Sequence, residues 1–314
     1  MRIALFGATG FVGSYIIESL IKNNYSPSVL LRDKSKEKLI FSEKNKVTFG
    51  DINNLNAIEK TIKDSDAIIY NIGLIREFPK QEITFQNLHF EGAKRCIDIA
   101  ESLGVNRFIL MSANGVNKNG TNYQITKFKA EEYLKKSKLD YTIFRPSLIF
   151  GKPKINEQIE FCTQLRNDML SLPIPAPLFY KGFFPFKAGT FKLSPIHVKN
   201  VADFFVNSIK MDETIGKTYT LGGKKSQTWK EIIQKITISS DRNKWKIPTP
   251  IFMVRIVVSL LDSFKWFPIT KDQLNMLIEG NTTHEDYFNE FKIEPINFEV
   301  DNLSYLLENS NNSR

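Results

Sequence analysis

The sequence predicts an α/β fold built on a doubly wound parallel sheet, and three observations predict it. A strand-like run, Arg2-Ile-Ala-Leu-Phe6, passes straight into Gly7-Ala-Thr-Gly10-Phe-Val-Gly13 and then into a helical pattern through Val12, Tyr15, Ile16, Leu20 and Ile21. A second apolar run, Pro27-Ser-Val-Leu-Leu31, follows at βαβ spacing. Short apolar runs then keep alternating with helical stretches as far as Gly151, which implies right-handed crossovers within one parallel sheet.

Each glycine of the first turn has its own duty. Gly7 permits a tight bend, Gly10 lets the backbone approach a pyrophosphate, and Gly13 lets the helix pack closely on the strand. The phosphates would sit at the positive end of that helix. The segment therefore reads as the opening of a Rossmann-type dinucleotide site, with Gly7, Thr9, Gly10, Phe11, Val12 and Gly13 as binding residues. A bare glycine-bearing turn is the alternative for the motif alone, and its place after the first strand favours the nucleotide.

Composition narrows the class. At 314 residues, 42% hydrophobic and 25% charged, the chain has an ordinary globular composition and can bury a substantial core. The net charge of +9 is spread through helices, without a basic stripe or helix-turn-helix, so no nucleic-acid partner is expected. Cys96 and Cys162 lie in apolar settings without a CxxC or a histidine nearby, so neither a metal site nor a disulfide is expected. The first strand begins at residue 2, which leaves no room for a leader and suggests the cytoplasm. The longest apolar stretch, Ile251 to Trp266, is broken by Arg255, Asp262 and Lys265 and does not read as a transmembrane helix.

Arg32-Asp33-Lys34 follow the second strand, where such a fold meets the adenosine ribose. An acidic residue there favours NAD, and a basic one can pair with a 2′-phosphate. Arg32 comes first with Lys34 close by, so NADP(H) is the expected cofactor; Asp33 could still serve a ribose hydroxyl, which leaves NAD(H) open. The third strand, Lys46-Val-Thr-Phe49, ends at Gly50-Asp51-Ile52, with Asp51 either at the adenine amino group or capping a helix over 54–63. The fourth, Ala67-Ile-Ile-Tyr70, ends at Asn71-Ile72-Gly73, where a small residue lets a cofactor lie against the backbone. Asp51, Ile52, Asn71, Ile72 and Gly73 thus join the expected binding set.

A helix over 84–103 carries His89, read as structural rather than as a base, and the fifth strand, Arg107–Met111, leads into Ser112-Ala113-Asn114-Gly115. Next comes Tyr123-Gln-Ile-Thr-Lys127. Its i, i+4 spacing puts phenol and ammonium on one helix face, where the positive charge would lower the tyrosine pKa. Such a tyrosine exchanges a proton with a substrate oxygen while a nicotinamide exchanges hydride, and the lysine can also hold the nicotinamide ribose.

With the glycine turn, the Asn71 turn, Tyr123/Lys127 and Tyr141-Thr-Ile-Phe-Arg-Pro146-Ser-Leu-Ile-Phe-Gly151, the chain resembles the short-chain dehydrogenase/reductase superfamily in its extended and atypical, epimerase/dehydratase-like branches. His89-Phe-Glu-Gly92, Ser194–Ala202, Thr218–Gly223 and Pro268–Leu274 make it most similar to the group containing the NAD(P)H-binding accessory subunit of respiratory complex I. The resemblance implies Tyr123 as acid/base, Lys127 as its tuner, Ser112 as the group polarising the substrate oxygen, and a cofactor contact at Pro146. The serine's usual position falls on Ser112 or on Ala113, with Asn114 as a substitute donor. Two readings follow. One is an NADP(H)-binding oxidoreductase or epimerase acting on a small, apolar substrate. The other is a non-catalytic, nucleotide-stabilised accessory or assembly protein of a respiratory complex or membrane surface.

The organisation expected is a dinucleotide-binding domain over 1–150, with returns to the sheet near 191–222, and a smaller substrate or cap lobe over 151–314. Residues 172–186 are rich in proline and aromatics, a poor helix and a lid candidate, with Phe179, Tyr180, Phe183, Phe184 and Phe186 set for a substrate pocket, lipid contact or ordinary core. His197 reads as structural, Asn200 as a helix cap, and Thr228 with Glu231 as a capping box. A helix near 250–265 is apolar through Ile251, Val254, Val258 and Leu261 and broadened by Phe252, Met253, Val257 and Leu260. Arg255, Lys265 and Trp266 lie at its edges, which suits docking on a partner or the inner face of a membrane, or packing within the fold. The polar tail, Asn309–Arg314, is expected to be disordered.

Overall fold

The computed structural model describes residues 1–39, 45–155, 157–182, 184–261 and 270–308. Phe183, Lys265, Trp266, the first two residues of the Pro268 stretch and the tail from 309 lie outside them. The first half runs β1 (Arg2–Phe6), α1 (Phe11–Lys22), β2 (Ser26–Leu31), β3 (Lys46–Phe49), α2 (Leu55–Ile62), β4 (Ala67–Tyr70), α3 (Gly92–Leu103), β5 (Arg107–Met111), α4 (Asn122–Lys135) and β6 (Asp140–Pro146). The second half runs β7 (Ile149–Phe150), α5 (Phe161–Gln164), β8 (Ala176–Tyr180), β9 (Lys192–Leu193), β10 (Ile196–His197), α6 (Val198–Ser208), β11 (Lys217–Leu221), β12 (Gln227–Thr228), α7 (Trp229–Ser239), β13 (Lys246–Pro250), α8 (Ile251–Leu261), α9 (Lys271–Glu279) and α10 (Tyr305–Glu308).

Two compact units result. The first comprises Met1–Pro146, Val198–Leu221 and Tyr287–Glu294. Its seven strands pair in the order β11-β6-β5-β4-β1-β2-β3, all parallel. The central strands are continuous apolar runs because helices cover both faces of the sheet, and β4 and β5 are buried along their whole length. Strand order reverses between β1 and β4, which opens a crevice at their carboxyl ends, the usual seat of a ligand in such sheets. One face packs Phe6, Ile68, Tyr70, Phe108 and Ile143 against the helical layer. On the other, Phe144 meets Phe204, Phe205, Tyr219 and Phe291. Asn200 is not the helix cap expected. It lies buried inside α6, its Nδ2 donating to Glu294 O at 2.8 Å, because the helix starts two residues earlier.

The helix expected over 84–103 is not uniform. Gln86–Glu91 form a π-helical turn ahead of α3, in which Gly92 N bonds back to Asn87 O. This widening leaves the Leu88 carbonyl to accept the buried Tyr70 hydroxyl at 2.6 Å. Gly92 sits where a Cβ would meet that hydroxyl at 2.4 Å.

The second unit comprises Ser147–His197, Gly222–Asp286 and Pro295–Arg314. It holds three short pairings: β7 with β10, β9 with β12, and β8 parallel to β13. Trp229 centres its core, stacked on Phe179 and Phe191 and donating from Nε1 to Pro177 O at 2.8 Å. The expected capping box is present, with Glu231 reaching back to the Thr228 amide. The 172–186 stretch is thus partly strand: Phe179 is core, while Phe184 and Phe186 are exposed. Among the described residues no helix is long and apolar enough to cross a membrane.

An alanine in mid-helix ordinarily stabilises relative to glycine by about 1 kcal/mol. Gly92→Ala should instead destabilise by about 1–3 kcal/mol, because the added methyl meets the Tyr70 hydroxyl. In denaturant unfolding, the double change with Tyr70→Phe should cost less than the two single changes summed. A more stable Gly92→Ala protein would contradict this packing.

Candidate functional site

The crevice at the end of β1 is shaped by backbone. Gly7 adopts φ +91°, and a Cβ on it would lie 2.8 Å from Asn71 O. A Cβ on Gly13 would lie 2.0 Å from Gly7 O, so no larger residue fits either position without displacing the turn. α1 begins at Phe11 with Gly10 as N-cap and no side-chain cap, the form of helix start that offers backbone donors to an anion. Asn71 N donates to Phe6 O at 2.9 Å, tying β4 to β1, whereas its buried Oδ1 has no partner. A Cβ on Gly73 would touch nothing. An uncapped helix start, a glycine cradle and an orphaned amide oxygen fit a dinucleotide.

At the carboxyl end of β2, Arg32 and Lys34 are exposed, with Lys34 Nζ 5.2 Å over the Phe49 ring. Asp33 Oδ1 accepts from Ser35 N at 2.9 Å and Ser35 Oγ at 2.8 Å, which holds its carboxyl below the usual range. Asp51 does not cap α2. It closes a turn on Asn53, accepting from N at 2.9 Å and Nδ2 at 2.7 Å, and Asn54 caps the helix by accepting from Ala57 N. Three residues suffice for the Asp51 turn, which leaves the cap to the next side chain in line. Ile52 packs in the core, so its backbone alone can meet a ligand.

At the other end, α4 is fixed by a capping box of Thr121 and Gln124, and Gln124 also donates to Gly115 O at 2.8 Å. Tyr123, half-buried on the first turn of α4, meets the rings of Phe85 and His89 edge-on, with centroids 5.6 and 5.1 Å away. Lys127 is buried, its Nζ donating to Met111 O at 2.9 Å and Ile72 O at 3.4 Å across the ends of β5 and β4. The expected lowering of the Tyr123 pKa is absent. Burial pushes the phenol up to about 12, while desolvation brings Lys127 down to about 8 against the opposing charge of Glu131. The ammonium is spent on two carbonyls, and that is why spacing alone misjudged the shift.

Ser112 follows β5 with N donating to Phe144 O at 2.8 Å and Oγ buried without a partner. Ala113 is buried beside it. Asn114 N donates to the carbonyl of the buried Pro146 at 2.9 Å, and Asn114 Oδ1 accepts from Gly115 N. Two contributors were not expected. Glu131, fully buried, binds Arg145 Nε at 2.8 Å and lies one turn beyond Lys127, so the Tyr123-Lys127-Glu131 spacing was its available signal. Phe85 stacks on His89 at 5.1 Å and has no signal short of the π-helical turn.

Residues 7–167 match the family model described as NAD(P)H-binding. The chain is 25% identical over 270 residues to the mitochondrial NADH-ubiquinone oxidoreductase 40 kDa subunit of Neurospora crassa, covering 84% of this chain and 67% of that protein. It is 22% identical over 281 residues to UDP-glucose 4-epimerase of Vibrio cholerae, covering 81% and 80%. The solved UDP-glucuronic acid 4-epimerase of Bacillus cereus, in complex with UDP-glucuronic acid and NAD, superposes with a TM-score of 0.69 at 17% identity over 99% of each chain, a likeness of fold.

His89 holds the loop beside the crevice. Its Nε2 accepts from Leu74 N at 3.1 Å, so its Nδ1 carries the proton shared with Thr126 Oγ1, also at 3.1 Å. Burial and the nearby Lys127 charge hold the ring neutral well below the ordinary imidazole pKa of 6.5. The unfolded chain therefore takes up a proton that the folded chain refuses, so this contribution to stability is complete above pH 6.5 and is lost as pH falls toward the folded value. In a histidine NMR titration, His89 should remain the neutral Nδ1–H form at pH values where a free imidazole is charged. Titration near 6.5 would contradict the assignment.

Proposed function

Because this chain belongs to the NAD(P)H-binding family, we propose that it holds the dinucleotide along the carboxyl ends of β1, β2 and β4. Tyr123 then serves a hydride-transfer reaction of the oxidoreductase or epimerase type as proton donor. The observation that carries this reading is the buried, unpartnered Ser112 hydroxyl, one residue from the carbonyl that holds Lys127. Such an orphan costs about 1–3 kcal/mol, a cost that a substrate oxygen at the site relieves. When bound, the nicotinamide supplies or takes the hydride. Ser112 Oγ donates to the substrate oxygen, and Tyr123 supplies the proton at its phenol oxygen. With its pKa near 12 the phenol is protonated at neutral pH, which sets the site for reduction of a carbonyl. Lys127 orients the ends of β4 and β5 and places a charge beneath the site. Arg32 takes the 2′-phosphate of NADP(H), since the neighbouring carboxylate of Asp33 is already engaged with Ser35.

A second reading has its own support. Tyr123 packs edge-on against two rings and its acidity is weakened, which suits a nucleotide kept as a structural part. The Neurospora relative, a subunit of an oxidoreductase complex, suits an accessory or assembly role at a respiratory complex.

Protein purified without added nucleotide, examined by mass spectrometry and then offered ketones, quinones and sugar nucleotides, separates the two. Under the first reading Tyr123→Phe lowers turnover about 10²-fold or more with nucleotide affinity nearly unchanged. Under the second, nucleotide co-purifies but no substrate changes its redox state. Arg32→Ala should weaken NADP(H) binding roughly 10- to 100-fold and leave NAD(H) nearly unaffected. Equal losses for both would sink the 2′-phosphate assignment.

A further inference from the structure

α8 is apolar on nearly every side. Ile251 and Val258 are buried, and the helix packs on β13 and α9. Phe252, Met253, Ile256, Val257 and Leu260 are nevertheless exposed, Leu260 by 70%. The i, i+4 geometry sets them in two adjacent ridges, 252-256-260 and 253-257. A helix apolar all round belongs in a core or at an apolar surface.

The same end of the second unit carries more. β8 and β13 run parallel with Pro250 opposite Tyr180, so the chain leaves both strands at one end, into α8 and into the segment before the 3₁₀ turn Pro185–Lys187. That turn packs against β13. Phe184 and Phe186 flank its start, stacked 5.9 Å apart, and Phe186 is 87% exposed. Trp245, 81% exposed, stands at the opposite end of the strand pair.

Charge decides what covers this face. At the end of the strand pair where this face lies, Lys181 and Lys187 beside the two phenylalanines and Arg255 on α8 are exposed. An apolar helix face edged by exposed positive charge matches the boundary between anionic headgroups and acyl chains. We propose that this face docks on an anionic lipid bilayer, with α8 lying in the interface, its two ridges toward the acyl chains, and Phe184 and Phe186 inserted beside it. The inference does not depend on how the nucleotide is used.

Flotation of the full chain with vesicles of phosphatidylcholine mixed with phosphatidylglycerol, and with vesicles of phosphatidylcholine alone, tests it. The protein should float with the anionic vesicles, bind neutral ones more weakly, and lose the difference as salt is raised. Phe252→Ser with Ile256→Ser and Leu260→Ser, all at exposed positions, should keep the melting temperature and lower partitioning at least about tenfold. Lys187→Ala with Arg255→Ala should lower it roughly tenfold on anionic vesicles only. Failure of the parent protein to float with either vesicle, or equal flotation of the triple variant, would overturn the proposal. So would a parent dimer that stays unfloated and is dissociated by the triple variant, since the face would then join two copies of the chain.

Discussion

The dinucleotide-binding unit depends on how closely three backbone segments approach at the carboxyl end of β1. Gly7, Gly13 and Asn71 meet there at distances that leave no room for a Cβ on either glycine. The approach seats α1 on the sheet, directs its uncapped start into the crevice, and brings the turn after β4 against the turn after β1. A ligand of high negative charge is the natural occupant of such a place, because helix-end amides are backbone groups that need an acceptor.

Desolvation outweighs attraction at the other end of the crevice. Lys127 has lost enough hydration to fall from 10.5 to about 8 despite Glu131 one turn away, a net cost on the order of 3 kcal/mol. Glu131 is itself held by Arg145, so the site rests on a chain of charges running from α4 to β6. Burial raises the Tyr123 phenol, which keeps its proton. The proposed proton donor and the proposed structural nucleotide would share the one backbone cradle.

Much of this was legible in the order of residues. The parallel strands read as unbroken apolar runs because both faces of the sheet are covered, and the glycine turn read as a turn because no other residue fits there. The π-helical turn was not legible. It exists because the Tyr70 hydroxyl needs an acceptor, and that hydroxyl arrives from a strand 18 residues away from Leu88. Strand β8 was masked by Pro177 and the prolines just before it, and its pairing is supplied by β13, also proline-bearing, some seventy residues later. Of the two duties open to Asp51, the cap falls to Asn54 because Asp51 has a nearer partner in Asn53, and Asn200 was misplaced as a cap because its partner lies far along the chain.

The sequence by itself determined the local chemistry: which segments of the first half are strands, where the chain must bend through glycine, and that a tyrosine and a lysine share one face of α4. These follow from side-chain shape and period, which act over a few residues. Only the tertiary structure decided what those groups are worth. Burial raised the phenol and lowered the ammonium, two carbonyls from different strands claimed Lys127, Ser112 was left without a partner, and α8 kept five apolar side chains in the open. Solvation and pairing are set by segments far apart in the chain, so no reading of neighbours along it can supply them.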